Sequence, residues 1–503
     1  MSEIKILKPF INGEFVESRT DSYSDAFNPS TGEIIAKVPL CTTDEVELAI
    51  KSAKKAYPAW TNTPVSKRVE ILYNVRNIIN ENMDELTHLV ALENGKVWEE
   101  AKGDVLKARE GTEQAIAAPS LMMGESLMNV SAGHDCVLYR ESIGVFAGIA
   151  PFNFPAMIPF GWMVPICLAT GNTMIIKAAT FDPQSALRFA QIYKYAGLPD
   201  GVLNVVTCSR NEAEIFLTHK DVKGISFVGS TPVGLSVYSK AAAAGKRVQA
   251  LCQAKNHALI MDDVPVERTA ASIMNSAYGC AGERCMALPV IVVMDSIADK
   301  LIKELAEQAK NLKIGPAYEK SSNLGPVINE AHKQSILNWI QKGIDEGADL
   351  ILDGRGVKVE GYEKGFYVGP TIFDNVKPEM SVGNEEIFGP VLCIKRVNSF
   401  EEGLEVMNNN EFANGSSIFT QNGYYAREFT KRTHGGMVGV NVGIPVPTGV
   451  FPFTGHKNSF FGDLHALGKD GYRFYTESKA VTTHWWDEEE GKVKKVSTWD
   501  GTI

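Results

Sequence analysis

The chain has 503 residues, 44% of them hydrophobic and 22% charged, so it is long enough for two or three globular domains with separate cores. Its 50 basic and 60 acidic residues give a formal net charge of -10 without a basic stripe, which argues against a nucleic-acid partner. The 8 cysteines show no C-x-x-C pair, and the N-terminus lacks the regions of a signal peptide, so we expect free thiols, no metal site and a reducing cytoplasm.

The N-terminal third is predicted to be largely helical. The stretch "TTDEVELAIKSAKKAY" opens with Thr42 three positions before Glu45, the pattern of a capping box, and "SKRVEILYNVRNII" has apolar residues at helical spacing. Neither helix suggests chemistry.

Residues 142–176 contain no charged side chain, and length alone would permit a membrane span. Four prolines and Asn153 interrupt the run, and no second span follows. We therefore expect a buried core segment, with a helix from Ala156 to Ala169, and no membrane partner.

From Ile143 onward, short apolar runs alternate with helical patterns, and a second such series starts at "HALIMDD", residues 257–263. Repeated strand-helix-strand units predict two α/β domains with mainly parallel sheets. Ligands of such sheets sit at the carboxyl ends of the strands.

Five stretches at predicted strand ends or in loops carry a family resemblance. They are "APFNFP" (150–155), "IIKAAT" (175–180), "FVGSTPVG" (227–234), "AGERCM" (281–286) and "NEEIFGPV" (384–391). In this order they resemble the aldehyde dehydrogenase superfamily, from about residue 11 to about residue 481. Within it, "APSLMMGESL", "AKNHALIM" and "FPFTGHKNSFFGD" resemble the coenzyme A-acylating branch, the methylmalonate-semialdehyde dehydrogenases.

The resemblance implies an α/β fold of the aldehyde dehydrogenase type. A Rossmann-type cofactor-binding domain would comprise residues 1–122 and 144–250, and an α/β catalytic domain residues 251–467. A small β extension, residues 123–143 and 468–490, would join the subunits of a homodimer or homotetramer. Residues 491–503 would be a solvated charged tail.

Cys285 is the candidate nucleophile. A cysteine in isolation is more often a small buried hydrophobe, and we interpret Cys280 in that way, but the motifs around Cys285 favour catalysis. Its thiol needs a lowered pKa to attack an aldehyde carbon, and the adjacent Arg284 is a cation that could provide it. By resemblance, the side-chain amide of Asn153 and the backbone N–H of Cys285 would bind the oxyanion, although Asn153 could also be a turn residue.

The stretch "FVGSTPVG" predicts a strand, a tight loop and a helix start. Gly229 and Gly234 would allow close approach of the backbone, and Ser230 would offer a hydroxyl to a pyrophosphate, although an ordinary strand-to-helix turn would look similar. The resemblance implies NAD as cofactor, with Lys177 at the adenosine ribose and Glu386 at the nicotinamide ribose. The remaining positions that it places in the dinucleotide site are Phe152, Thr180 and Phe388.

Two departures from the family pattern bear on the chemistry. Hydrolytic members have a glutamate base in an E-L-G-G-K motif, but the matching "LCQAK" has Leu251 there. Water, with a pKa of about 15.7, needs such a base, whereas a thiol near about 8.5 does not, so we expect coenzyme A to release the acyl group. NAD-preferring relatives have a glutamate at the position of Thr180, which also fits a turn before Asp182, the predicted cap of the next helix. We therefore expect weak discrimination between NAD and NADP.

Arg284 and Lys107 are candidate clamps for an anionic group of the substrate. A structural ion pair is the alternative for Arg284. The branch has an arginine where Lys107 stands, and Arg109 falls on another helix face. Methylmalonate or malonate semialdehyde is therefore the expected type of substrate, and another anionic aldehyde, such as a sulfonate, stays open.

The predicted reaction is NAD(P)-dependent oxidation of a short anionic semialdehyde, through a cysteine thioacyl intermediate, to acyl-coenzyme A. The alternative enzyme is a hydrolytic dehydrogenase that forms the acid, with Asp463 or Glu386 positioning water. A second alternative is a non-catalytic protein that retains affinity for NAD, and a Cys285→Ala substitution would separate it from an enzyme.

Overall fold

The structure, a computed structural model, describes residues 4–486; the predicted tail at 491–503 lies outside them. The α-helices are α1 (Thr43–Thr61), α2 (Val65–Glu81), α3 (Met83–Asn94), α4 (Trp98–Ala115), α5 (Ala118–Leu121), α6 (Val164–Ala169), α7 (Pro183–Tyr195), α8 (Arg210–Thr218), α9 (Thr231–Ala243), α10 (Val266–Tyr278), α11 (Asp295–Lys310), α12 (Glu330–Asp345), α13 (Phe400–Asn408), α14 (Gly423–Arg432) and α15 (Gly468–Phe474). A π-helix spans Ile158–Met163, and 3-10 turns span Gly279–Gly282 and Ser381–Gly383.

The strands are short and are distributed over the whole described chain. They are β1 (Lys5–Ile6), β2 (Phe10–Ile11), β3 (Glu14–Phe15), β4 (Tyr23–Asn28), β5 (Glu33–Pro39), β6 (Ser126–Ser131), β7 (His134–Ser142), β8 (Val145–Ile149), β9 (Thr173–Lys177), β10 (Leu203–Val206), β11 (Val222–Val228), β12 (Arg247–Leu251), β13 (His257–Ile260), β14 (Val290–Met294), β15 (Asp349–Leu352), β16 (Thr371–Asp374), β17 (Val391–Val397), β18 (Phe412–Ala413), β19 (Gly415–Phe419), β20 (Met437–Val440), β21 (His456–Lys457), β22 (Phe460–Gly462) and β23 (Thr476–His484).

The predicted helices of the N-terminal third are present as α1 to α4, after a group of short strands that the sequence analysis did not include. The capping box is confirmed, because the Thr42 hydroxyl accepts from the backbone N–H of Glu45 and the Glu45 carboxylate accepts from the backbone N–H of Thr42 at 2.7 Å. Helix α7 differs from its prediction. Asp182 holds the cap position without a capping bond, and Glu93 instead accepts from the first-turn N–H groups of Gln184 and Ser185.

The uncharged run 142–176 forms β8, the π-helix, α6 and β9, and nearly all of it is buried. Among residues 4–486, no helix is long and apolar enough to cross a bilayer. The predicted single helix over 156–169 begins instead with the π-helix. Pro159 and Pro165 lack the N–H groups that a regular α-helix needs, which accounts for the irregular start.

The first sheet has the order β22-β12-β11-β8-β9-β10-β2-β3, and its five central strands are parallel. The central strands are continuous apolar runs because helices cover both faces of a parallel sheet. Their carboxyl ends lead into the loops that carry the predicted site residues. The antiparallel edge strand β22 comes from far along the chain, from within the range predicted as the catalytic domain.

The second sheet has the order β15-β16-β17-β14-β13-β19-β20, and all of its pairs are parallel except β15 with β16. A third, small sheet of β23-β7-β6 lies within the ranges predicted for the extension. The predicted α/β fold class is confirmed by this arrangement. The domain limits stay a prediction.

Candidate active site

Cys285 lies in a loop between the first and second sheets, after a backbone segment of unusual conformation. Cys280 and Ala281 both have a φ of 52°, and Gly282 has a φ of 76°. Gly282 is required for space as well as conformation, because a Cβ there would lie 2.1 Å from the Gly389 carbonyl oxygen. The Cys285 side chain is partly exposed and lines a cleft of about 420 Å³.

Two buried amides fix the backbone of Cys285. Asn256 Nδ2 donates to the Cys285 carbonyl oxygen at 2.9 Å, and Asn414 Nδ2 donates to the same oxygen at 3.2 Å. The sequence analysis missed both residues. "AKNH" and "FANG" are visible in the sequence, but asparagine in a loop is also a common turn residue, so the signal was ambiguous.

Burial and the nearby charge of Glu386 together raise the pKa of the Cys285 thiol to about 12, although backbone N–H groups at Cys285 and Met286 favour the thiolate. Arg284 does not point at the nucleophile. Its Nε donates to Cys280 Sγ at 3.1 Å, and one terminal nitrogen lies 3.2 Å from Glu100. The alternative of an ion pair is observed. The charges of Arg284 and Cys285 still interact, and a role of Arg284 in lowering the pKa of Cys285 stays a prediction.

Asn153 shares the cleft with Cys285 and is 4% exposed. One of its amide hydrogens is used, since Nδ2 donates to the Glu283 carbonyl oxygen at 3.1 Å. An amide nitrogen carries two hydrogens, so the second is available to an oxyanion.

A buried polar network holds the loop that carries Asn153. Asp104 accepts from the backbone N–H of Met157 at 2.7 Å and from Lys96 Nζ at 3.0 Å. Lys96 Nζ also lies 3.4 Å from the centre of the Phe154 ring. This network was not predicted, because Lys96, in the loop before α4, and Asp104, on α4, are far in the sequence from the motif that they support.

The cleft also contains most of the residues predicted for the nicotinamide half of a dinucleotide. The side chains of Phe152, Ser230, Glu386 and Phe388, together with Gly229, line it. The Phe152 and Phe388 rings meet edge to face at 5.9 Å. Burial raises the pKa of Glu386 to about 7, although the backbone N–H of Ala254 donates to its carboxylate at 3.0 Å.

The N-terminus of α9 fits an anionic ligand. Ser230 is its cap residue, and the Ser230 side chain makes no capping bond of its own. Gly234 is needed for packing, because a Cβ there would lie 2.2 Å from Cys252 Sγ, and a Cβ at Gly229 would lie 2.6 Å from the Phe227 ring. Both glycines therefore keep the strand close to the helix.

Lys177 lies in a separate cavity of about 250 Å³ that also contains Arg210, Glu214 and Val237. Burial lowers the pKa of Lys177. Thr180 does not line this cavity or the Cys285 cleft. Strand β11 contributes Val228 to the Cys285 cleft and Phe227 to the Lys177 cavity, and Ser230, the cap residue of α9, lines the cleft while Val233 of α9 lines the cavity.

Lys107 lies apart from Arg284. It lines a cavity of about 130 Å³ with Gly111, Met157 and Trp162, and its Nζ lies 2.6 Å from Glu110. Glu100, the partner of Arg284, is two turns earlier on α4 and so faces the same side as Lys107. The structure does not join the two predicted clamps in one pocket.

Leu251 is buried on β12. Asp463, an alternative water-positioning residue, lines another cavity, of about 540 Å³, with Arg140 and Arg473 and not the Cys285 cleft. Asp463 follows β22, which runs antiparallel to β12 and pairs Gly462 with Gln249, so Asp463 lies toward the amino-terminal end of β12 and away from the loop that follows Leu251. The structure gives no support to that part of the hydrolytic alternative. In the described chain, no group of side chains has the composition of a metal site.

Comparisons with known proteins cover almost the whole chain. The profile of the aldehyde dehydrogenase family matches residues 15–481. Malonate-semialdehyde dehydrogenase 1 from Geobacillus thermodenitrificans is 47% identical over 483 residues, which are 96% of this chain and 99% of that protein. Malonate-semialdehyde dehydrogenase 2 from Oceanobacillus iheyensis is 46% identical, with 96% and 99% covered.

Two crystal structures share the fold at a TM-score of 0.95 and 40% identity. The match to methylmalonate-semialdehyde dehydrogenase from Oceanimonas doudoroffii covers 97% of this chain and 100% of that chain. A chain from Sinorhizobium meliloti, provisionally described as the same enzyme and complexed with NAD, covers 97% and 99%.

Proposed function

The chain belongs to the aldehyde dehydrogenase family, and from this premise we propose that it oxidises a short anionic semialdehyde of the malonate or methylmalonate type with NAD. The acyl group passes through a thioester on Cys285 and leaves as acyl-coenzyme A. The observation that carries the proposal is the cleft in which Cys285 and Asn153 meet Glu386 and the N-terminus of α9, while Leu251 stands in place of the hydrolytic base.

The residues have distinct roles in this proposal. The Cys285 thiolate forms a bond to the aldehyde carbon, and the free amide hydrogen of Asn153 and the backbone N–H of Cys285 bind the resulting oxyanion. Bound nicotinamide supplies the acceptor for the hydride that leaves this carbon. Coenzyme A then attacks the thioester as a thiolate, the new sulfur–carbon bond forms, and the bond to Cys285 breaks.

Malonate and methylmalonate semialdehydes also lose carbon dioxide, which gives acetyl- and propionyl-coenzyme A. Lys107 is the proposed contact for the substrate anion, because its ammonium is largely exposed in a cavity that also contains Met157, four residues after Asn153. Arg284 would join it only by exchanging its bond to Glu100 for one to substrate.

Either dinucleotide is compatible with the adenosine cavity. Lys177 and Arg210 are cations in its lining, Glu214 of the same lining is paired with Lys240 at 2.7 Å, and Thr180 adds no carboxylate that would repel a 2′-phosphate. We propose NAD as the cofactor, in line with the relative complexed with NAD, and weak discrimination against NADP.

Assembly and location complete the proposal. The sheet β6-β7-β23 exposes Leu127, Met128 and Val481, and we assign to it the joining of subunits in a homodimer or homotetramer. The 8 cysteines are unpaired, which supports a reducing cytoplasm.

The test is product formation from malonate semialdehyde and methylmalonate semialdehyde, with NAD or NADP, in the presence and absence of coenzyme A. We expect acyl-coenzyme A by mass spectrometry and steady turnover only with coenzyme A. Free acid formed at the same rate without coenzyme A would contradict the acylating step and support the hydrolytic alternative with Glu386. Cys285→Ala is the control: it should abolish turnover and still bind NADH, whereas unchanged function would indicate a non-catalytic protein.

A further inference from the structure

Gln253 occupies a position where the family motif has no side chain. Aligning E-L-G-G-K with "LCQAK" places Gln253 at the first glycine. The residue follows β12 at the carboxyl edge of the first sheet and lines the cleft with Ser230, Cys285 and Glu386. A long polar side chain therefore stands between the proposed pyrophosphate and nicotinamide positions.

The carboxamide of Gln253 connects two parts of the cleft. Gln253 Oε1 accepts from the backbone N–H of Thr231 at 3.1 Å, and the Gln253 backbone N–H donates to Thr231 Oγ1 at 3.2 Å. The side chain also lines the cleft with Glu386 and favours the ionised form of the Glu386 carboxyl group, against the effect of burial on its pKa. Since Oε1 is already an acceptor for Thr231, the amide hydrogens are the groups that favour the carboxylate.

Few donors remain at the N-terminus of α9. Pro232 has no N–H, and the backbone N–H of Gly234 donates to the Ser230 carbonyl oxygen at 2.8 Å. Of the first three helical residues, Thr231 and Val233 alone carry an N–H that an anion could use. One of these two, the N–H of Thr231, already donates to Gln253 Oε1.

We propose that Gln253 is a positioning residue that forms a clasp in the dinucleotide cleft, and that its carboxamide must leave Thr231 before NAD(P) can contact the N-terminus of α9. The inference rests on the proposed function for the identity of the ligand. The clasped form does not bind, so the apparent affinity for dinucleotide is lowered by the fraction of molecules in which the clasp is open. Gln253 thereby sets the dinucleotide concentration at which the enzyme is loaded.

The experiment measures NADH binding by nicotinamide fluorescence, at equilibrium and by stopped flow, with the wild-type chain, Gln253→Ala and Gln253→Met. Methionine keeps the length of the side chain and removes both hydrogen-bonding groups. We expect both variants to lower the Kd by about tenfold, the effect of losing one to two net hydrogen bonds. The gain should lie in the observed association rate, since only the open fraction changes, while the dissociation rate stays within about twofold.

Three results would overturn the clasp. The first is a Kd for NADH that is unchanged or higher in both variants. The second is a higher affinity that comes from a slower dissociation rate, and the third is a higher affinity in Gln253→Ala that Gln253→Met does not share. The last result would mean that bulk, and not hydrogen bonding, obstructs the cleft. If the wild-type chain and both variants bind neither NADH nor NADPH, the proposed function itself fails. Binding is measured without aldehyde or coenzyme A, so the outcome does not depend on the acylating step.

Discussion

At the scale of single residues, the nucleophile and the neighbouring carboxylate oppose each other. Burial and the charge of Glu386 both raise the pKa of Cys285, and burial raises the pKa of Glu386 to about 7. Near neutral pH, Glu386 is therefore partly ionised. The negative charge of ionised Glu386 makes the thiolate form of Cys285 less favourable. The free enzyme should consequently hold Cys285 mainly as the thiol.

Neutralising Glu386 should make Cys285 more reactive at a given pH. A like charge disfavours the thiolate, so Glu386→Gln should move the pH profile of iodoacetamide alkylation at Cys285 to lower pH, by about 0.5–1 unit. Alkylation of that cysteine is followed by peptide mass spectrometry. Glu385→Gln, at an exposed neighbouring carboxylate, is the matched control and should leave the profile in place. Superimposable profiles for Glu386→Gln and wild type would show that the two groups do not interact.

Lys107 should govern affinity for the anionic end of the substrate. Lys107→Met removes the charge and keeps most of the side-chain length, so KM for malonate semialdehyde should rise about tenfold, while KM for uncharged propanal stays within about twofold. Lys102→Met, on the same helix, should leave both values unchanged. An equal KM for malonate semialdehyde in wild type and Lys107→Met would shift the role to Arg284.

At the scale of elements, helix α4 supports the site through packing and through charge. A Cβ on Gly111 would lie 2.1 Å from the Gly161 carbonyl oxygen, so α4 and the π-helix are in direct backbone contact. The buried pair of Asp104 and Lys96 then joins α4 to the loop that carries Asn153. A loop with a catalytic amide is thus held by a helix that makes no proposed contact with the reacting atoms.

Breaking the buried pair should destabilise the whole chain. The side chains of Lys96 and Asp104 are 2% and 0% exposed. Asp104→Ala leaves the buried Lys96 charged and unpaired, which should reduce the free energy of unfolding by about 3–5 kcal/mol and lower the Tm. Lys96→Met combined with Asp104→Ala should regain part of this loss. Asp200→Ala breaks the exposed pair with Lys194 and should change stability by less than about 1 kcal/mol. Equal thermal melting curves for Asp104→Ala and Asp200→Ala would contradict the assigned importance of the buried pair.

The parts of the site that the sequence predicts are those that lie in short contiguous stretches at strand ends. Cys285 and Glu386 belong to such stretches, and the parallel sheet brings their loops to one edge. The supporting contacts were not predictable, because they join distant positions: Asn414 and Cys285 are 129 residues apart. Arg284 illustrates the opposite limit, since its adjacency to Cys285 in the sequence did not predict that its side chain would bond to Cys280 and Glu100.

At the scale of the whole molecule, the small sheet β6-β7-β23 projects apolar side chains into solvent. Leu127 is 64% exposed and Met128 is 79% exposed, on strands that pair only with each other. Such a patch on a small sheet is typical of a surface that another subunit covers. The polar side chains of β23 alternate with Val481 along the same sheet.

Charge placed on this surface should separate the subunits. We expect the wild-type chain to sediment as a dimer or tetramer of its 55.0 kDa chain, and Leu127→Asp with Val481→Asp to sediment as the single chain. Tyr424→Asp introduces the same charge at an exposed site on α14 and should leave assembly unchanged. A wild-type sample that sediments at 55.0 kDa would contradict the assignment of the extension.

The antiparallel strand β22 has a consequence for synthesis on the ribosome. It pairs with β12 through Phe460 and Phe461, so the first sheet, begun by β2 and β3 near the N-terminus, lacks one edge until almost the entire chain has been translated. A nascent chain that ends after β12 presents an open strand edge, which favours pairing with other chains. The sheet that is proposed to hold the dinucleotide is therefore begun by β2 and β3 and completed only by β22, and until β22 has been translated its open edge at β12 can pair with other chains.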